Sequence, residues 1–169
     1  MSANEIPTAE ERRVAALRER FPGLDFADLD VALAVQRASV ALDRSLAERA
    51  KPYGLTPVAL QALISVFLAS NGPLSLTDLG DQLRVTKANV SLVLAGLERQ
   101  SLIERSSDPQ DGRRIRATVT EQGERVLHEL MPHALDAIHT VMERLSARDR
   151  ERLKGLARRV GTTDRRSTS

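Results

Sequence analysis

Two groups of side chains in the middle of the chain have the types and spacing needed to read nucleic acid. The first lies in TKANVSL, residues 86–92. Asn89 can make a bidentate contact to adenine, Lys87 can reach guanine or a phosphate, and Leu92 can lie against a thymine methyl. The Thr86 hydroxyl, at the start of a helix, can hold a backbone phosphate. The second group lies in SDPQDGRRIRATVT, residues 107–120, where turn formers give way to Arg113, Arg114 and Arg116. If Ile115, Ala117 and Val119 alternate inward along a strand, Arg114, Arg116 and Thr118 point out. Arg113 then stands at the tip of a hairpin, where a narrow minor groove rewards a guanidinium. Asp111 repels phosphate, but it can pair with Arg113 and fix its direction. Each residue alone also reads as a helix cap, a solvated charge, or half of a surface pair worth under about 1 kcal/mol. Together and in this order they point to DNA.

The elements that must position these residues follow from local pattern. Thr86 caps a helix, KANVSLVLAGLERQ, whose Val90, Val93, Leu94 and Leu97 fall at i, i+3, i+4 and i+7 and form its buried stripe. The opposite face holds Ala88, Ser91, Leu92, Ala95 and Arg99, with Lys87 and Asn89 on its flanks. A solvated face in so charged a chain would be full of Glu, Lys and Arg. This one is small and polar near its N-terminus, as entry into a major groove about 12 Å wide requires. Ser75 and Asp78 cap a short preceding helix that turns Leu76, Leu79 and Leu83 inward. Two strands should follow, near Ile103–Ser106 and Arg114–Val119, with SDPQDG between them. Helix, tight turn, helix and hairpin make a winged helix-turn-helix.

Helices flank that unit on both sides. Thr8 and Glu11 form a capping box for a short helix ending near Arg20. A long helix, about 26–50, carries Val31, Leu33, Val35, Val40, Leu42 and Leu46 on several faces, so something must cover several faces, and a second subunit is the natural cover. Thr56 caps the next helix, with Pro57 at its first position, and SNGP stops it near Ser70. Thr120 caps a long helix reaching Leu145, with a kink expected at Pro132. Ser146 and Asp149 start a last helix whose Leu153, Leu156, Ala157 and Val160 share a stripe, and TTDRRSTS is expected to fray.

Composition narrows the field further. The chain has 169 residues, three Phe, one Tyr and no Trp, so its core is aliphatic and suits helices. No cysteine means no disulfide, thiolate metal site or thiol switch, which fits a cytoplasmic protein. The opening MSANEIPTAEE lacks a signal-peptide pattern, and the apolar run Val58–Ala69 is too short to span a bilayer. The net charge of +2 is distributed unevenly. Residues 52–83 hold no Lys or Arg. Residues 84–116 hold seven (84, 87, 99, 105, 113, 114, 116) against four Asp or Glu (98, 104, 108, 111). Clustered positive charge is the footprint of a polyanion binder. No phosphate-loop, zinc-protease or serine-hydrolase motif appears, so an enzyme is not expected. No cofactor is implied, and His128, His133 and His139 are not spaced as i, i+4 metal ligands.

With these residues in place, the run from Leu74 to Gly123 resembles the multiple-antibiotic-resistance-regulator (MarR) family of bacterial transcription factors. VTKANVSLVLAGLERQSLIER carries the likeness, as does a wing similar to D-x-R-x-x-x-V-x-L-T at Asp111, Arg113, Val119 and Thr120, with Ala117 at the usual valine. The resemblance extends over about 25–160. It implies a mostly helical homodimer joined through its terminal helices, recognition helices in two major grooves, and wing arginines in flanking minor grooves, with Asp111 bracing Arg113. Family members often carry glycine in the helix–helix turn and after the recognition helix; here Arg84 and Ser101 stand there. A left-handed backbone at either costs about 1–2 kcal/mol. The additional N-terminal helix is similar to that of the branch responding to urate-like ligands, but that branch's tryptophan is missing.

The expected organisation is an N-terminal extension (1–24), dimerisation helices (25–53 and 121–161), a DNA-binding domain (54–120) and a tail (162–169). The expected function is a dimeric regulator, a repressor by preference, on a palindromic duplex operator. The resemblance implies release by a small aromatic or anionic ligand, for which Arg37, Arg44 and Tyr53 are candidates beside their plainer reading as solvated arginines and a packed tyrosine. Two alternatives remain: a winged helix that binds a partner protein, and a metal-responsive regulator using its histidines.

Overall fold

The computed structural model describes residues 8–69, 73–107 and 115–161. The tip of the hairpin, including Asp111, Arg113 and Arg114, lies outside the described residues, as do most of SNGP and the expected tail 162–169. The chain divides into two compact units, Met1–Asp43 and Arg44–Ser169.

The first unit holds α1 (Ala9–Arg20) and the N-terminal part of α2 (Ala27–Ala50). The capping box forms as the spacing of Thr8 and Glu11 predicts. The Glu11 N–H donates to Thr8 Oγ1 at 3.2 Å and the Thr8 N–H donates to Glu11 Oε2 at 2.7 Å. These bonds hold the Glu11 carboxyl below its ordinary range. Val14 is buried, and Arg18 pairs with Asp30. Val31, Val35 and Val40 are exposed along α2, so the helix is apolar on faces this chain leaves open.

The second unit begins with the end of α2, whose Ala50 is fully buried, and a 3-10 turn at Lys51–Tyr53 closed by left-handed Gly54. It continues through α3 (Pro57–Leu68), β1 (Pro73–Leu74), α4 (Leu76–Leu83), α5 (Lys87–Arg99), β2 (Ile103–Ser107), β3 (Ile115–Val119), α6 (Glu121–Met142) and α7 (Ala147–Gly161). Helices α3 to α6 each start at a Thr or Ser hydroxyl that accepts the N–H three residues on: Thr56, Ser75, Thr86 and Thr120. The helix α6 stops at Met142, one turn short of the predicted Leu145.

The predicted core stripes meet in one cluster. Leu60, Leu63 and Val66 of α3, Leu79 and Leu83 of α4, and Val90, Leu94 and Leu97 of α5 are buried together with Ile103, Ala117, Leu127 and Leu130. Val93 and Leu76, also predicted inward, are half-buried against it. Each fully buried leucine contributes about 2 kcal/mol of transfer free energy. This cluster fixes α5 to the scaffold by one face and leaves the other open.

The sheet has three strands in the order β1–β3–β2, all antiparallel. Two were expected. β1 pairs Pro73 with Arg116 and Leu74 with Ile115, making β3 the central strand. Two residues are too few to show alternation, so only the pairing reveals this strand.

Candidate nucleic-acid interface

At its N-terminus α5 presents Thr86, Lys87, Ala88 and Asn89 to solvent, and one turn later Leu92, 69% exposed. Thr86 Oγ1 accepts the Asn89 N–H at 3.3 Å and keeps its own proton to donate. The N–H groups of Lys87 and Ala88 point out of the first turn, where helices have no internal acceptor. Ser91 is half-buried, and its hydroxyl donates back to the Lys87 carbonyl at 3.2 Å, so it offers lone pairs rather than a proton. Arg99 is exposed at the far end of the helix. The recognition residues read from the sequence therefore sit on the open side of α5, opposite the buried Val90, Leu94 and Leu97.

The turn before α5 is tighter than its sequence suggests. Arg84 is left-handed (φ 56°, ψ 39°) and the Val85 N–H donates to the Gly80 carbonyl at 3.0 Å. A Cβ on Gly80 would lie 2.8 Å from the Val85 carbonyl oxygen. Glycine is thus needed at residue 80, inside α4, and the left-handed corner falls to an arginine. Ser101, after α5, is left-handed as well (φ 56°). Both departures from the glycine pattern carry the strained backbone.

An ion pair that sequence inspection did not single out joins α5 to the wing. Arg105 on β2 donates to Glu98 Oε2 on α5 through Nε (2.9 Å) and Nη2 (2.5 Å). The Arg105 bond holds the Glu98 carboxyl below the usual range, against a smaller upward push from desolvation. The two positions are seven apart in sequence, with a turn between them, so no helical or strand period flags the pair.

Arg116 points away from the buried Ala117 side as expected, but it is half-buried, with its Nε covered, because β1 and β2 flank it on both sides. Of the ligand candidates, Arg37 lines a shallow cleft within the first unit with Glu11, Val14, Asp30 and Leu33. In the second unit Arg44 is exposed and pairs with Glu48 at 3.4 Å, while Tyr53 packs against the hydrophobic core. His128, His133 and His139 are exposed on α6, and among the described residues no three metal-binding side chains come together.

Comparison with known proteins decides the kinship. The model of the MarR family matches residues 53–114. The HTH-type transcriptional regulator YkoM of Bacillus subtilis is 31% identical over 112 residues, covering 66% of this chain and 71% of the relative. The chain belongs to the MarR family. The HTH-type transcriptional repressor YetL of the same organism is 26% identical over 133 residues, covering 79% of this chain and 80% of the relative. Among solved structures, the MarR-family regulator Sco3205 of Streptomyces coelicolor, crystallised with DNA, superposes with a TM-score of 0.72 at 24% identity over 81% of this chain and 90% of its own. At that identity the likeness is one of fold, and the fold is the winged helix-turn-helix. As a MarR-family member the protein is a transcriptional regulator and not an enzyme. No described helix is long and apolar enough to cross a membrane.

Proposed function

We propose that this MarR-family regulator is a homodimeric repressor that grips a palindromic duplex operator. In this reading α5 enters the major groove, with Asn89 and Leu92 on base edges and Thr86 and Lys87 on the backbone. Arg113, oriented by Asp111, enters the minor groove beside it, and Arg114, Arg116 and Arg99 add charge. The observation that carries the reading is the open face of α5. A leucine left 69% exposed amid small and polar neighbours has no role in the folded chain but suits an apolar contact in a groove. The repressor named among its relatives supports the sign of regulation.

Two copies are needed for a palindrome, and the chain has apolar surface to join them. Val31, Val35 and Val40 on α2, Leu135 and Ile138 on α6, and Leu153, Leu156 and Val160 on α7 are all exposed. We assign 25–53 and 121–161 to the dimer, 54–120 to DNA, and 1–24 and 162–169 to extensions. Release by a small aromatic or anionic ligand is part of the proposal, with Arg37, Arg44 and Tyr53 as its candidate contacts.

A titration against the promoter beside the protein's own gene tests this, over a salt series and with aromatic acids added. Duplex binding should weaken linearly on log axes by about 0.9 per neutralised phosphate. Binding that ignores salt would favour a protein partner for the same face, and no duplex binding at low salt would end the DNA reading. Affinity unmoved by every acid would remove the ligand step alone.

A further inference from the structure

The helix-turn-helix, residues 75–100, holds three cations: Arg84, Lys87 and Arg99. Lys87 and Arg99 belong to the face already described. Arg84 does not, and its position is odd on two independent counts. It occupies the left-handed corner between α4 and α5, a conformation disfavoured for any residue carrying a Cβ and open to glycine without penalty. Its guanidinium, exposed, makes no ion pair or side-chain hydrogen bond among the described residues. Arg18, Arg44, Arg49, Arg105 and Arg125 all have carboxylate partners. A charge with no partner among the described residues, held in a strained backbone, is a local conflict of the kind that marks functional positions.

Its surroundings say what the charge is for. Arg84 lies two residues before Thr86, whose hydroxyl and following N–H groups open the N-terminus of α5. Only Val85 intervenes, and the Gly80–Val85 hydrogen bond holds the corner close against α4. A polyanion approaching the first turn of α5 therefore comes to a point only two residues along the chain from Arg84, an exposed cation. We propose that Arg84 clamps a backbone phosphate beside the one held at the α5 N-terminus, so that the turn between the two helices positions DNA as well as joining them. This inference rests on the DNA-binding reading above. The plainer account is that Arg84 only complements the negative C-terminal end of α4, as a cation there will.

Three substitutions separate these. Arg84→Gly removes charge and strain together, Arg84→Asn removes charge while tolerating the left-handed backbone, and Arg84→Lys keeps the charge. Ser101→Gly relieves the same strain at an uncharged corner and serves as control. Thermal unfolding and duplex binding across a salt series are measured on each full-length chain. The clamp predicts that the Gly and Asn variants bind specific and random duplex alike more weakly, roughly eightfold per contact at 0.1 M salt, with the log–log salt slope shallower by about 0.9 per protomer. Arg84→Lys and Ser101→Gly should keep the wild-type slope. If the Gly and Asn variants keep both the wild-type slope and affinity, the clamp is wrong and the helix-end account stands. If the wild-type chain binds no duplex, the failure belongs to the proposed function instead.

Discussion

At the scale of single residues, recognition divides into side chains that can read a base and side chains that can only hold the backbone. Asn89 belongs to the first class. It is exposed in the first turn of α5, where its amide can take the donor–acceptor edge of adenine, while its backbone N–H is already spent on Thr86. Asn89→Ala should weaken operator binding by about 1–3 kcal/mol and random-duplex binding by much less, measured by competition titration. Equal losses on both would make Asn89 a neighbour of the backbone only. In the proposed reading Arg113 acts through charge and groove shape, so Arg113→Ala should lower operator affinity by at least ~1 kcal/mol with the dimer intact by sedimentation.

At the scale of elements, the question is what holds the wing to α5, since the proposed reading needs both to meet DNA at once. The Glu98–Arg105 pair does so on the second strand, and it brings a pH dependence. Glu98 has a folded-state pKa below its ordinary 4.5, so the pair's contribution is fully present above that value. It is lost as pH falls through the lower, folded-state value. Glu98→Gln should therefore unfold more easily than wild type in urea at neutral pH, with the gap closing as pH falls below 4.5 and through the lower folded-state value. It should also weaken operator binding, because the wing loses its fixed angle to α5. A stability gap that stays constant from neutral to acid would show that the ion pair is not its source. Thr120 ties the same region from the other side. Its hydroxyl donates to the Ser101 carbonyl at 2.6 Å, and its N–H donates to the Leu102 carbonyl at 3.1 Å. The start of α6 is thereby anchored to the turn that ends α5.

At the scale of the molecule, what stands out is apolar surface left open by the terminal helices. Leu156, 54% exposed on α7, is flanked by Leu153 and Val160 on the same stripe. Its replacement by glutamate alters nothing in the buried cluster around α3, α4 and α5. We expect Leu156→Glu to shift the protein toward monomer in sedimentation, and to lose operator affinity while keeping a helical spectrum. A monomer that still binds the palindrome at full strength would refute the dimeric grip. Charge belongs to this scale too. A net +2 steers nothing by itself, but the sequence concentrates an excess of cations between residues 84 and 116.

What the sequence determined by itself was set by contacts between near neighbours. Thr8, Thr56, Ser75, Thr86 and Thr120 announced helix starts because a cap needs only an acceptor three residues ahead of an N–H. Val90, Leu94 and Leu97 announced their burial because a helix repeats every 3.6 residues. From these follow the element order and the open face of α5, hence the family. Tertiary structure decided what depends on distance through space. β1 exists only because Pro73 and Leu74 pair with β3, and that pairing is why Arg116 is half-buried. Gly80 is required because the Val85 carbonyl comes back against it, and the left-handed corner of the same turn falls on Arg84. Glu98 and Arg105 meet because a turn folds β2 against α5. No local period encodes such meetings, since they arise only when separate elements pack on one core.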